Sequence, residues 1–182
     1  MGEKEPVFTR RKTLEFLDRL DEGLVKDGHQ RKFKLYCLGG TKMVLSGLRY
    51  MSKDVDFLLS RGDFTTLSSY VAEFNRRENM RFDVFPGAEF SGYSYPDFFR
   101  HSKKAPYKFR RLELYFIDDI DFVITKALAW RRKDVEDIKT ILNKKKISRM
   151  EIMRRFEKVK FEPDREEEFR RKFDEFITEF YD

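Results

Sequence analysis

The chain has little of what marks a secreted or membrane-bound protein. Its 182 residues include one cysteine, Cys37, so no disulfide framework can form. No apolar run approaches the length of a membrane-spanning helix, and the N-terminus has no signal-peptide pattern. These absences predict a cytoplasmic protein that does not engage a membrane. Cys37 itself falls in an apolar strand pattern, which favours a buried small side chain over a reactive thiol.

Glutamine is also nearly absent, since only Gln30 occurs, whereas charged residues make up 40% of the chain. Few thermolabile amides among many charges weakly indicate a thermophilic source. The net charge of +6 is compatible with nucleotide or nucleic-acid partners, and equally with a solvated basic surface. The cations concentrate at residues 10–12 and 100–111, where the second run predicts a polyanion-binding face.

Hydrophobic periodicity predicts an α+β fold. Helical spacing predicts a first helix over residues 12–26. Alternation predicts strands at residues 33–38, 55–59, 81–85 and 112–116. Helical patterns dominate from residue 117 onward, with Asp118 and Ser148 as caps and a last amphipathic helix after Pro163. We expect a small mixed β-sheet flanked by helices in residues 1–116 and a helical C-terminal part, residues 117–182, packed on it. The aromatic segment 87–107 predicts a long loop or short hairpin near the site.

The central stretch begins where the first strand ends, at Leu38. Gly39 and Gly40 follow and allow the backbone to approach a ligand closely. A short helical pattern starts at Thr41, and the amides that open a helix favour an anion. This arrangement predicts a phosphate-binding turn.

Three carboxylates lie on the polar faces of neighbouring strand patterns. Asp54 and Asp56 alternate with apolar residues, so they share one face, and Asp83 occupies the same kind of position in another strand. Carboxylates held side by side repel unless a cation lies between them, and Mg²⁺ prefers oxygen ligands together with substrate phosphates. A phosphate turn beside a metal site predicts phosphoryl or nucleotidyl transfer. An Asp-x-Asp pair alone is weak, since a second pair, Asp119 and Asp121, is predicted to be a helix start.

The combined pattern resembles the signature of the minimal nucleotidyltransferases of the DNA polymerase beta superfamily, closest to their toxin–antitoxin and abortive-infection (AbiEii-like) branch. The matching residues are Gly39-Gly40-Thr41, Arg49, Ser52 and Asp54-Val55-Asp56-Phe57. Asp83 matches the third carboxylate of that family. A later helical motif is matched by Lys126, Ala129, Arg132, Lys133, Asp134, Asp137 and Ile138. Thr41 stands where many members have serine, so a hydroxyl is kept.

The resemblance implies a polymerase beta palm-like sheet and a metal-dependent enzyme. Such an enzyme moves an NMP from an NTP to a hydroxyl on an RNA or tRNA end or a protein, and the resemblance suggests a toxin–antitoxin system as the setting. Asp54, Asp56 and Asp83 would hold two Mg²⁺ ions, with Asp83 on the ion nearer the acceptor. The implied nucleotide-binding residues are Gly39, Gly40, Thr41, Lys126 and Arg49. For Arg49, a pair with Asp54 is an open alternative.

Two other functions stay open at this stage. A non-catalytic antitoxin or adaptor would use the same fold to bind a partner protein or RNA, although it would have no reason to keep repelling carboxylates. The second alternative is nucleotide transfer to a small molecule. A small acceptor predicts a closed aromatic pocket, whereas RNA predicts a broad basic groove. Asp134 and Asp137 are either site residues or plain helix charges, and we favour the second. His29 and His101 lack any ligand constellation and are predicted to be surface residues.

Overall fold

The computed structural model of the protein describes residues 7–78, 82–87, 89–95 and 97–182. The chain divides into two compact units. The first comprises the described residues of Met1–Gly87 together with Ser102–Phe116, and the second those of Ala88–His101 together with Ile117–Asp182. These units differ from the expected parts, residues 1–116 and 117–182, in that the described residues of 88–101 belong to the second unit. The expected domain division stays a prediction.

In chain order, the described residues form β1 (Phe8–Thr9), α1 (Arg10–Lys26), β2 (Phe33–Cys37), α2 (Gly39–Leu45), β3 (Met51–Ser52), β4 (Val55–Leu59), α3 (Arg61–Glu78), β5 (Phe82–Pro86), β6 (Glu89–Phe90), β7 (Tyr93–Ser94), β8 (Lys103–Lys104), β9 (Leu112–Phe116), α4 (Asp119–Ala129), α5 (Arg132–Lys144), α6 (Arg149–Phe156), β10 (Lys160–Phe161) and α7 (Glu166–Tyr181). None of these helices is both long enough and apolar enough to cross a membrane, a statement that covers the described ranges only.

The first unit is built on a five-stranded mixed sheet in the order β5-β4-β2-β9-β8. The β2–β9 and β4–β5 pairs are parallel, while β2–β4 and β8–β9 are antiparallel. Outside this sheet, β1 pairs antiparallel with β3, placing Phe8 opposite Ser52 and Thr9 opposite Met51. The predicted α+β class with a small mixed sheet is therefore confirmed.

Alternation along the strands places the core of the first unit on one face of the sheet. Phe33 and Cys37 of β2 and Val55 and Phe57 of β4 are all buried. Helix α1 covers them with a buried stripe, which consists of Phe16, Leu17, Leu20 and Leu24. Cys37 is buried as predicted, and burial raises the pKa of its thiol well above the ordinary value. The opposite face carries polar side chains such as Lys34 and Asp56, together with the buried Leu58.

The second unit combines α4–α7 with a small sheet in the order β10-β7-β6. The β6–β7 pair is the short hairpin predicted within residues 87–107. Its aromatic neighbours Tyr95 and Phe98 are buried in this unit, and Tyr93 packs edge-on against Phe169 of α7. The predicted stripe of α7 is buried at Phe169, Phe173, Phe176 and Ile177. The predicted caps are also confirmed, because Asp118 accepts from the N–H of Ile120 and Ser148 from that of Glu151.

Candidate active site on the polar face of the first unit

Two of the predicted site carboxylates are direct neighbours across a parallel strand pair. Asp56 of β4 is in register with Asp83 of β5. Residues in register on parallel strands project from the same face, and adjacent strands lie about 4.8 Å apart. Asp54 immediately precedes β4, two residues before Asp56, and alternation assigns it to this face. The fold therefore makes Asp56 and Asp83 neighbours on one face of the sheet, and alternation predicts Asp54 beside them.

Gly39 is required because the carboxylate of Asp56 lies against its backbone. Gly39 has φ +44°, in the left-handed region that favours glycine. A Cβ added to it would lie 3.3 Å from Oδ2 of Asp56. Gly39 is also the first residue of α2, so the helix begins two residues earlier than the predicted start at Thr41. The glycines form the first turn of the helix and do not form a separate loop.

The absence of a side chain at Gly40 leaves space that Ser52 occupies. A Cβ at this position would overlap Oγ of Ser52. Nη1 of Arg49 lies 3.6 Å from the same point. The hydroxyl of Ser52 and the guanidinium of Arg49 thus border the glycine turn. Ser52 was not among the predicted site residues, although it belongs to the motif that carries the family resemblance.

Thr41 connects the turn to the acidic strand. Its side chain is 1% exposed, and its Oγ1 accepts a hydrogen bond from the backbone N–H of Asp56 at 2.7 Å. The N–H of Leu38 donates to the carbonyl of Asp56 at 3.1 Å. These two bonds fix the backbone of Asp56 against the start of α2. In this structure the hydroxyl of Thr41 positions a carboxylate residue, and its predicted contact with a phosphate stays a prediction.

The donor set fits a magnesium ion by its chemistry. Asp56 and Asp83 are in register on adjacent strands and both carry carboxylate oxygens, and hard oxygen ligands are what Mg²⁺ binds. Within the described ranges, no three His, Cys, Asp or Glu side chains form a ready-made metal cluster. Asp83 is exposed, and Asp54 and Asp56 are half-buried. These three residues are the ones that would hold the metal.

Lys126, the other predicted phosphate contact, lies in the second unit as part of a buried ion cluster. Its Nζ is 2.6 Å from Oδ1 of Asp134 and 3.1 Å from Oδ2 of Asp137, and its side chain is 8% exposed. Nε of Arg131 donates to Oδ2 of Asp134 at 2.7 Å. The interpretation of Asp134 and Asp137 as plain helix charges is wrong, because both are buried. Periodicity missed this, since the apolar stripe of α5 gives no sign that a neighbouring lysine covers its carboxylates.

The charges of this cluster are balanced within it. Burial alone raises the pKa of Asp134, but hydrogen bonds from Arg131 and Lys126 outweigh burial and hold that pKa below its ordinary value. Asp134 is therefore ionised at neutral pH and accepts from both cations. The ammonium group of Lys126 is engaged by Asp134 and Asp137 of α5. The assignment of Lys126 to nucleotide binding therefore stays a prediction.

The comparisons with known proteins agree with the geometry of the first unit. A family model described as "Nucleotidyltransferase of unknown function (DUF6036)" matches residues 15–181. No curated protein and no solved structure matches the chain significantly. The matched segment includes the glycine turn, the acidic strands and the buried cluster around Lys126. Because the match spans almost the whole sequence, the chain belongs to this family of nucleotidyltransferases.

Proposed function

We propose that the protein is a magnesium-dependent enzyme that moves an NMP from an NTP to a hydroxyl group of an acceptor. Membership of a nucleotidyltransferase family supports the transfer itself. The observation that carries the metal assignment is the register of Asp56 with Asp83. Two like charges on adjacent strands of one face weaken the sheet unless a cation offsets their repulsion. A purely structural or adaptor role gives no reason to retain them.

In the proposed reaction an acceptor oxygen attacks the α-phosphorus of the NTP. The bond from that phosphorus to the leaving pyrophosphate breaks, and the acceptor proton passes to a base. Two bound Mg²⁺ ions would supply activation of the hydroxyl and neutralisation of the triphosphate. We assign the acceptance of this proton to Asp83, and its exposure on the edge strand β5 supports passage of the proton to solvent. Asp54, Asp56 and Asp83 would hold the two ions through their carboxylate oxygens.

The glycine turn is assigned to the triphosphate. The backbone of Gly39 and Gly40, with the guanidinium of Arg49 at the same turn, supplies N–H donors for the β- and γ-phosphates. Thr41 contributes by fixing the backbone of Asp56, which connects the proposed phosphate subsite to the proposed metal subsite. Lys126 is retained as a candidate phosphate contact on the basis of the family resemblance alone.

The acceptor class and the biological setting are part of the proposal. The resemblance to the abortive-infection branch favours an RNA or tRNA end, or a protein, within a toxin–antitoxin system. The net charge of the chain, +6, is compatible with binding to a nucleic acid. A cytoplasmic location and a thermophilic source stay predictions from the single cysteine and the scarcity of glutamine.

The proposal is tested by transfer assays with each α-³²P-labelled NTP. The protein is incubated with Mg²⁺ and total RNA or cell extract, and labelled products are resolved on gels. We expect one NTP to label an acceptor in a magnesium-dependent manner and Asp56→Asn to abolish the label. Asp18→Asn, which removes one exposed carboxylate from α1, is the matched control and should label normally. Equal labelling by wild type and Asp56→Asn would contradict the assignment.

A further inference from the structure

The first unit carries a groove that shares only Arg49 with the residues assigned to the proposed active site. It has a volume of about 640 Å³ and runs between the start of α1 and the turn that follows α2. Residues 9–12 line one wall, and residues 47–50 with Val44 line the other. The β1–β3 pairing ties the walls together by placing Thr9 opposite Met51. The volume lies within the range of about 300–1,000 Å³ that is usual for ligand sites.

One wall places three cations where a helix disfavours them. Arg10, Arg11 and Lys12 form the first turn of α1, which has no acidic residue. The N-terminus of a helix carries partial positive charge, so cations there are unfavourable and anions favourable. All three side chains are exposed, and their protein partners are few: Arg10 donates to the hydroxyl of Tyr107, and Arg11 lies 3.7 Å from the exposed carboxylate of Glu15. An anionic partner accounts for the arrangement, because such a partner offsets both the side-chain charges and the helix dipole.

The opposite wall offers an aromatic ring. Tyr50 is 78% exposed, the highest value among the exposed large hydrophobic side chains described. An exposed ring next to cations is the combination with which proteins hold single-stranded nucleic acid, since bases stack on the ring while phosphates contact the cations. An acidic peptide would use the cations but would leave the ring without a partner. The groove therefore favours a nucleic acid.

The groove adjoins the glycine turn of the proposed active site. Arg49 lines the groove, and its Nη1 also lies 3.6 Å from the position of a Cβ on Gly40. Ser52, which packs on Gly40, is the β3 residue opposite Phe8. A strand lying in the groove would thus end close to the residues assigned to the triphosphate. This continuity gives the groove a role in presenting an acceptor.

We propose that this groove binds a single-stranded nucleic acid, with phosphates on Arg11 and Lys12 and one base stacked on Tyr50, and that it guides the acceptor strand to the glycine turn. The second part rests on the proposed transferase function, whereas the binding itself does not. Arg10 helps to shape the groove, because its Nε donates to the hydroxyl of Tyr107 at 3.0 Å, which in turn donates to the carbonyl of Leu45 at 2.7 Å.

The basic run at residues 100–111 fits a strand less well. Arg100 belongs to the second unit, and Lys104 is engaged by Glu113 at 2.6 Å. Arg111 donates to the carbonyl of Gln30 at 3.2 Å. The run therefore does not form one continuous set of available cations in the first unit. Its exposed members Lys103 and Lys108 supply a matched control for the groove.

The test is fluorescence anisotropy of a labelled 12-nucleotide oligouridylate with the full chain, without NTP or metal, over a series of salt concentrations. We expect binding whose affinity falls with salt. Arg11→Gln/Lys12→Gln should reduce the salt slope by about 1.4, since each contact with a single strand contributes about 0.7. Tyr50→Ala should weaken binding by roughly fivefold or more with the slope unchanged. Lys103→Gln/Lys108→Gln should stay within about twofold of wild type in affinity, because those cations lie outside the groove.

The variants are chosen so that a loss of binding cannot be a loss of folding. Removing cations from the first turn of α1 relieves the helix dipole, and Tyr50 is mostly exposed. Absence of binding at low salt, an unchanged affinity in Tyr50→Ala, or an equal loss in the control pair would overturn the inference. Binding as described in a protein that transfers no nucleotide would uphold the groove and remove the proposed function. Magnesium-dependent transfer to a small acceptor without RNA binding would uphold the proposed transfer and overturn the groove.

Discussion

The hydroxyl oxygen of Thr41 lies 2.7 Å from the backbone nitrogen of Asp56 and accepts its hydrogen bond. This bond couples the glycine turn to the acidic strand, so a change in the hydroxyl should reach the metal-binding side chain. Thr41→Val keeps the shape but removes the acceptor, leaving the Asp56 N–H without its partner. We expect a loss of about 1–3 kcal/mol in unfolding free energy. Transfer activity should fall as well.

Thr41→Ser is the matched control, because it keeps the acceptor and loses only a methyl group. Denaturant unfolding and the transfer assay, run on both variants, separate the effects. Serine should retain most of the activity, and it should be more stable than valine if the hydrogen bond dominates. Comparable activity in the two variants would show that the bond does not position Asp56.

The glycine turn gives a second prediction. Gly39→Ala introduces a side chain at φ +44° and at 3.3 Å from the Asp56 carboxylate. We expect the melting temperature to fall and NTP binding to weaken, since left-handed backbone costs a non-glycine residue about 1 kcal/mol or more. Gly23→Ala in the interior of α1 is the control. Its added Cβ meets nothing within 4 Å, so this variant should gain about 0.5–1 kcal/mol. Equal stability changes in both would contradict the account of the turn.

Lys126 separates a structural role from a phosphate contact. Lys126→Met leaves Asp137, and part of Asp134, without the cation that balances them in a buried site. We expect a loss near the lower end of about 3–5 kcal/mol, because Arg131 still pairs with Asp134. Lys139→Met removes an exposed lysine from α5 and should change little. Chemical denaturation and equilibrium NTP binding measure both. Unchanged stability with lost NTP binding would instead establish Lys126 as a phosphate contact.

The pH dependence of stability should carry a contribution from His101. Burial lowers the pKa of His101 below 6.5, and the charge of Arg155 lowers it further, while Asp118 and Asp97 oppose this and Lys158 adds a small lowering. The folded protein then binds fewer protons than the unfolded chain below pH 6.5. Stability is therefore complete above that pH and is lost as the pH falls through 6.5 towards the folded pKa.

His101→Gln removes this titration. Denaturation curves between pH 7.5 and 5 should show a smaller loss of stability for the variant than for wild type. Parallel curves would show that His101 contributes nothing in this window. His101 was expected to be a surface residue, yet it is half-buried, and its Nε2 is buried without a hydrogen-bond partner among the described residues.

Local pattern was sufficient for the framework of the first unit. Alternation in β2, β4, β5 and β9 predicted both the strands and the shared face of Asp56 and Asp83, because side-chain direction in a strand depends only on position. The start of α2 was harder. Glycine favours turns and disfavours helices, so the pattern predicted a turn before Thr41. The helix nevertheless extends to Gly39, in a fold where Thr41 and Leu38 bond to a strand fifteen or more residues away.

Features that depend on distant partners were not predictable. The two-residue strand β1 has no periodicity of its own and exists because Phe8 and Thr9 pair with β3. Asp134 and Asp137 have the spacing of ordinary helix charges, and only the approach of Lys126 from α4 makes their burial possible. The aromatic residues of 88–101 gave no indication of their partner, which is Phe169 for Tyr93.

The most direct test of the central claim is the magnesium-induced thermal shift of Asp56→Asn compared with wild type. One like-charge contact at about 4 Å and an effective dielectric near 20 is worth about 4 kcal/mol before screening and relaxation. Screening reduces the net relief to about 1 kcal/mol, so without metal the variant should melt at or above the wild-type temperature. Asp18→Asn, with its exposed carboxylate on α1, again serves as the control.

With Mg²⁺ and a nonhydrolysable NTP at 100 times their dissociation constant, wild type and Asp18→Asn should gain about 2.7 kcal/mol through binding to the folded state. That corresponds to roughly 5–11 °C for a chain of this length. Asp56→Asn should gain much less, because the ion loses a carboxylate ligand. If all three proteins shift equally, or if Asp56→Asn melts well below wild type without metal, the carboxylates of Asp54, Asp56 and Asp83 do not form the metal site.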